Sequence, residues 1–405
     1  MSTAEATATL EPVESTRFTP SAQGWIARLV VHVLIFGGAL LITAMVPGYW
    51  AFRISLAAIY AIIGLSLNVV LGYVGQVSLG HHGFVGIAAF ISAWYVTTKA
   101  GCSLEQGCSL SSFFVATALA VLSGGVAAGL LGLVALRIRG LYLALITLSY
   151  GFMAETAIFQ IPALTRGGAG MPAPAPDGFT SDNRYAFLTL AFLALVIYID
   201  WRLIRSKVGR AILSIKHSEP VAASYGINVT AYKTMAFVLS GMFAGLAGAL
   251  LAFRVENVVS NDFDFSLALL WVLMVVVGGL GNRVGVVVGS AFFALFPFIL
   301  SSFGTLKNFF DKHAIEPELV GLALGAALAL FTIISYQGGI GEQLSPLTRW
   351  LGGKPFTRHP EEHAAPKGHQ RKKLLSRMGL DKSGETPTEE SAAVETPSEP
   401  VEEDA

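Results

Sequence analysis

Charge is what this sequence has least of. Only 13% of its 405 residues are Asp, Glu, Lys or Arg, about half the ~25% usual in a soluble domain. Long stretches hold none, which excludes an ordinary water-facing globule. Cysteine is almost missing too. The two present, Cys102 and Cys108, share one short loop, so neither a thiolate metal cluster nor a disulfide-built scaffold is available. No Cys/His grouping has metal-ligand spacing, and the adjacent His81 and His82 cannot share one face of a regular helix. There is no glycine-rich phosphate loop followed by Lys and Ser or Thr, so the chain does not hydrolyse ATP itself. A nucleophile, base and metal constellation is also lacking, which removes the membrane-enzyme class. No bound cofactor, no metal and no nucleic-acid partner is expected.

What is there is apolar. Hydrophobic residues make up 53% of the chain, in runs long enough to cross a bilayer core, which takes ~20 residues. The runs fall at 25–47, 54–72, 81–98, 113–136, 141–160, 185–201, 233–253, 265–281, 286–303 and 317–336. The expected fold is therefore all-α: a polytopic transmembrane bundle of about ten spans, occupying 25–336. Residues 1–24 are polar and slightly acidic, with no cleavable leader evident. Residues 337–405 carry a basic stretch (Lys354 to Lys373 and Arg377) and then an acidic one (Glu385 to Asp404), the pattern of a disordered tail.

Basic residues in short loops set orientation. Arg137 and Arg139 form one such loop, and Arg202, Arg205, Lys207, Arg210, Lys216 and Lys233 another. The stretch 254–264 is acidic instead. Placing the basic set inside requires both termini inside as well, which an even number of spans allows. Cys102 and Cys108 then face outward, where a disulfide can persist.

Glycine is abundant, 43 residues, and recurs at helical spacing in Gly125/Gly129, Gly241/Gly245/Gly248, Gly285/Gly289 and Gly321/Gly325. Small residues let helix backbones approach in lipid. The segment Gly72 to Phe84 interrupts an apolar region with Tyr73, Gln76, Ser78 and His81. Broken helices survive in membranes only where protein or a watery cavity satisfies the freed backbone, and in transporters they often mark the path. A gating segment and a purely structural bend both fit. A second interruption, Gly278 to Gly285, reads as a cytoplasmic turn. Asn68 and Glu155 are the clearest polar residues within spans. For Glu155, a helix–helix hydrogen bond competes with a place on the path.

The longest interior basic loop, about 202–232, contains Gly209, Arg210 and then Glu219-Pro220-Val221-Ala222-Ala223-Ser224-Tyr225-Gly226. Pro220 suits a helix start. Helical spacing would set Ala222 and Gly226 on one smooth face, ready to sit in a groove on a partner.

These residues resemble a known family. The loop is similar to the coupling loop of ABC importer permeases, with Glu219, Ala222, Ala223 and Gly226 at the expected places. Gly72 to His81, Leu136 to Ala144, Gly226 to Val229, Ala244 to Leu250 and Gly278 to Gly281 resemble the permeases of branched-chain amino-acid importers, most closely the M-type subunit. The resemblance covers about 50–335. It implies a bacterial inner-membrane permease for leucine, isoleucine and valine. Implied partners are a sister permease, two cytoplasmic ATPases that use ATP, and a periplasmic binding protein. From the residue reading above, Asn68, Tyr73, Gln76, Ser78, His81 and Glu155 are the candidates to line or gate the path. The alternatives are a permease for urea, short amides or aromatic acids, and an ion-coupled carrier.

Overall fold

A computed structural model of the chain describes residues 37–38, 41, 43–103, 107–135, 140–166 and 169–302. The expected tails, the run 317–336, most of 25–47, and Arg137 and Arg139 lie outside these residues.

The helices follow the apolar runs. They are α1 (Gly48–Leu67), prolonged by a π-helical stretch Asn68–Val74, then α2 (His81–Trp94), prolonged by Tyr95–Lys99, and α3 (Leu110–Ala135). After these come α4 (Leu141–Thr156) and α5 (Asp182–Arg205). Two short helices follow, α6 (Lys207–His217) and α7 (Glu219–Ser224), then α8 (Val229–Val255), α9 (Phe265–Gly278) and α10 (Arg283–Ser302). Among the described residues, six helices are long and apolar enough to cross a bilayer, and Arg283–Phe296 is a shorter apolar one. The fold is thus an all-α, multi-pass membrane bundle.

The ends of the spans moved where local chemistry differs from the apolar pattern. Helix α5 runs four residues past the expected 185–201 stop, because Arg202 and Arg205 suit a helix C-terminus and Ser206 caps the next helix instead, accepting from Gly209 N at 3.1 Å. Helix α9 stops at Gly278, short of the expected 281, since Gly279 and Gly281 adopt φ of 104° and 85°.

The core is a helix in the middle. Within their apolar windows, α8 is 83% buried and the α1 span 78%, against 28–39% for the other crossing helices. Helix α8 packs on α1, α2 and α3 at once. Its glycine stripe makes this possible. A Cβ on Gly241 would overlap the Gly124 carbonyl, one on Gly245 the Ala120 carbonyl, and one on Gly248 the Val85 carbonyl. Gly124, one residue before the expected Gly125, supplies the facing small surface. The α9–α10 crossing repeats the device with Gly278, Gly285 and Gly289.

The helix ends sort into two faces. One holds 75–80, the 206–228 loop and the turn 279–282. The other holds the Cys102–Cys108 disulfide, the two-stranded ribbon of β1 (Met171–Pro172) and β2 (Asn257–Val258), and an Arg254–Asp182 ion pair at 2.7 Å. Asp177 N donates to Cys108 O at 2.8 Å, so the disulfide loop is strapped to the 161–181 connection.

Replacing Gly245 with Leu should cost about 1–3 kcal/mol or more through overpacking, read as a lower unfolding midpoint in detergent. Leu246→Met, next to it, should stay within about 1.5 kcal/mol. For the disulfide, the intact mass should rise by a pair of hydrogens on reduction. An unchanged mass would mean that the two thiols are free.

Candidate functional site

Between Val74 and His81 the helix is open, and in lipid each freed backbone group there needs a partner. The break is met by one backbone bond and by side chains from elements distant in sequence. Gln76 N donates back to Val70 O at 3.1 Å. Leu79 N donates to Thr147 Oγ1 of α4 at 3.0 Å. Lys216 of α6 donates its ammonium to Gly72 O at 2.7 Å. Asn68 Oδ1 accepts from Gly281 N at 2.8 Å. The two glycine interruptions therefore lie against each other: a Cβ on Gly72 would overlap the Gly281 amide and the Asn68 side chain.

A second set is buried beneath it. Ser78 Oγ and His81 Nδ1 are 3.0 Å apart, and His81 Nε2 and Ser240 Oγ 2.9 Å. Ser66 and Ser240 exchange hydroxyl-to-carbonyl bonds at 2.7 Å in both directions. This row joins the break to α1 and α8. His82 points elsewhere, onto Gly151 of α4.

The third set is ionic. Asp200, fully buried near the end of α5, takes Arg283 Nε at 2.9 Å and the Tyr73 hydroxyl at 3.0 Å. Lys233, only 2% exposed, pairs with Glu219 at the start of α7, and Gln76 Nε2 reaches the same carboxylate oxygen at 3.4 Å. A buried ion pair holds geometry even where it adds little net stability, since losing one partner strands the other.

Of the residues expected to line or gate a path, Asn68, Tyr73, Gln76, Ser78 and His81 come together at this break. Glu155 does not join them. It sits in the last turn of α4, on the disulfide face, beside Asp264 and Phe265. Sequence reasoning missed Asp200, Arg283, Ser66, Ser240 and the tie from Lys216. Asp200 carried a usable signal as an acid within an apolar run. The serines carried none. Lys233, counted as a loop cation from its neighbours, is a buried helix residue.

The 206–228 loop needs one correction. Ala222 and Gly226 do not share a helical face. Helix α7 ends at Ser224, and Gly226 turns left-handed at φ 78°. Ile227 N then bonds Ala222 O at 3.2 Å and Gly226 N bonds Ala223 O at 2.9 Å, the Schellman closure that a glycine favours. Ala222 is buried against this chain, whereas Val221 and Tyr225 are 54% and 82% exposed. The outward crest is thus apolar and aromatic. Gly209 is buried under Leu203 and Ile204, Arg210 is exposed and so is Ala223.

Residues 49–332 match the family described as the branched-chain amino acid transport system permease component. The chain is 30% identical to the high-affinity branched-chain amino acid transport system permease protein LivM of Salmonella typhimurium, over 78% of this chain and 75% of that protein. The same figures hold for LivM of Escherichia coli. It is 26% identical to the nucleoside ABC transporter permease protein NupC of Lactococcus lactis, over 67% of this chain and 86% of that one. No solved structure matches.

Asp200→Ala should lower stability by about 3–5 kcal/mol, because Arg283 is left charged and unpaired. Pairing it with Arg283→Leu should recover a large part of the loss. A non-additive unfolding midpoint in this cycle reads the coupling directly.

Proposed function

This chain belongs to the family of branched-chain amino acid transport permeases, and from that membership we propose that it is one membrane subunit of a binding-protein-dependent ABC importer carrying leucine, isoleucine and valine inward. As an ABC permease it spans the membrane many times, and the ion-coupled carrier is set aside. The rest of the reading is ours. The membrane is a bacterial inner membrane. A sister permease lies beside this chain, two ATPases dock on the cytoplasmic face, and a periplasmic binding protein delivers cargo. ATP is bound and used by the ATPases, with no cofactor on this chain. The permease domain is 25–336, flanked by polar tails at 1–24 and 337–405. Adding runs 25–47 and 317–336 to the alternating helices makes ten spans with both termini inside, which puts the 206–228 loop in the cytoplasm and the disulfide outside.

The observation that carries the mechanism is the junction of that loop with the broken helix. Lys216 holds the Gly72 carbonyl, and Glu219 sits between Gln76 and Lys233. A partner gripping Val221 and Tyr225 has no slack between its handle and the break. Closure of the ATPases on ATP shifts the permease between inward and outward states because the two states differ in these contacts. In this scheme Asn68, Tyr73, Gln76, Ser78 and His81 form the moving gate. Glu155 marks the outer stretch of the path. Gly209, Arg210, Glu219, Ala222, Ala223 and Gly226 shape the coupling loop. Nucleosides are the second cargo reading, favoured by the relative named for them.

Lys216→Met in the assembled complex should lower leucine uptake roughly tenfold, within the range of an ordinary coupling energy, while ATP hydrolysis continues. Lys216→Arg should restore much of it. Parallel loss of uptake and hydrolysis would defeat the coupling role. Uptake by liposomes holding this chain without ATPases would defeat the importer itself. Competition between leucine and uridine settles the cargo, with leucine expected to win.

A further inference from the structure

At the end of α5 a set of side chains has no place in the gate or the coupling junction. Tyr198, Trp201, Arg202 and Arg205 occupy the last two turns, where a crossing helix leaves the hydrocarbon. Tyr198 stacks on Trp201 with centroids 6.1 Å apart, and the Arg205 guanidinium lies 4.2 Å over the Trp201 ring. Aromatic and basic residues at this depth are the usual contacts of lipid headgroups. Here they border a groove of about 430 Å³, open at the protein surface and lined by Ile199, Arg202, Leu203, Arg205, Ser206 and Leu239. Its floor is apolar and drawn from two helices, α5 and α8. Its rim is cationic.

The charge balance at the rim is one-sided. Arg202, Arg205, Lys207 and Arg210 are all exposed. No Asp or Glu occurs between Asp200 and Glu219, and both of those acids point into the protein onto Arg283 and Lys233. Among the described residues, neither Arg202 nor Arg205 has a carboxylate partner. The Ser206 hydroxyl is already used on Leu203 O and Gly209 N, which leaves the two guanidiniums as the donors. An aqueous anion would gain nothing from the floor. A neutral lipid would gain nothing from the net charge of the rim.

We propose that the α5–α8 groove is a binding site for one anionic glycerophospholipid, its phosphate held by Arg202 and Arg205 and an acyl chain laid along Ile199, Leu203 and Leu239. Arginine suits the task, since its planar fork grips a phosphate in a bidentate way while stacking on an aromatic ring. The site does not depend on which cargo is carried. It adjoins the root of the 206–228 loop, so the lipid sits beside the segment that carries Lys216 and Glu219.

The test is native mass spectrometry of the full chain, with the subunits that purify with it, released from nanodiscs holding phosphatidylglycerol and phosphatidylcholine in equal parts. The wild type should retain phosphatidylglycerol over phosphatidylcholine by roughly 30-fold, as two arginines near an anionic headgroup supply. Arg202→Gln with Arg205→Gln should bring the ratio close to one and leave the phosphatidylcholine signal unchanged, while Arg205→Lys should keep most of the preference. Equal retention of both lipids by the wild type overturns the proposal without any variant. So does wild-type selectivity in the double glutamine protein. Displacement of the phosphatidylglycerol by inorganic phosphate alone also overturns it, because the site would then be one for a soluble anion. Should the double variant not assemble, Arg205→Gln alone should lose part of the preference, and an unchanged ratio in that variant overturns the proposal.

Discussion

A helix that stops at Val74 and restarts at His81 leaves backbone amides and carbonyls to be met, and the arrangement around it rests on meeting that demand across 72–80, where only Gly75, Val77 and Leu79 are not buried. The solution is not local. Asn68 and Gly281 are 213 residues apart, and Gly72 and Lys216 144. Satisfying one short gap draws α4 and α6 onto it, and the side chains beside the gap, Asn68 and His81, tie in the 279–282 turn and α8. Each unmet group in an apolar setting would cost several kcal/mol. The break is thus the feature that makes the surrounding helices interdependent.

That interdependence explains why so many buried polar groups are tolerated in a chain so poor in charge. Asp200, Arg283, Lys233 and Glu219 would each be costly in isolation. Paired, and joined to Tyr73 and Gln76, they form two clamps at one end of the bundle. The opposite end uses a disulfide, a small ribbon and a surface-near ion pair in place of buried clamps. The bundle is held at both faces by different chemistry, and among the described residues it is the clamped face that supplies the ionic contacts to the broken helix.

The fold was largely legible from the apolar runs because lipid imposes one rule on every span, and the runs 81–98 and 113–136 fall within a few residues of α2 and α3 with their extensions. The glycine stripe on α8 was legible for the same reason: period four among small residues points to a helix crossing. The site was legible only in part. Gly72 to His81 announced itself by putting polar residues in an apolar region, but its partners did not. Ser66 and Ser240 look like any serine in a membrane helix, and nothing local says that they bond each other. Ala222 and Gly226 misled because spacing was read as if the helix continued. A glycine after a short helix is as often its terminator, and φ at that residue decides the matter. Lys233 misled through its neighbours, since charge counted along a chain says nothing of the side on which it emerges.

The central place of α8 has a bearing on how such a protein is made. Ribosomes release the chain from its N-terminus, so α1, α2 and α3 reach the bilayer long before Val229–Val255 exists. During that interval Ser66, His81 and the Gly124 surface face an empty slot. Those early helices must wait as a loosely associated cluster, and the native interior is completed only when the late helix is threaded among them. Completion of this interior therefore waits on α8 and on α10 after it, which also packs on α1, and the earliest segments are the ones that spend longest without their final partners.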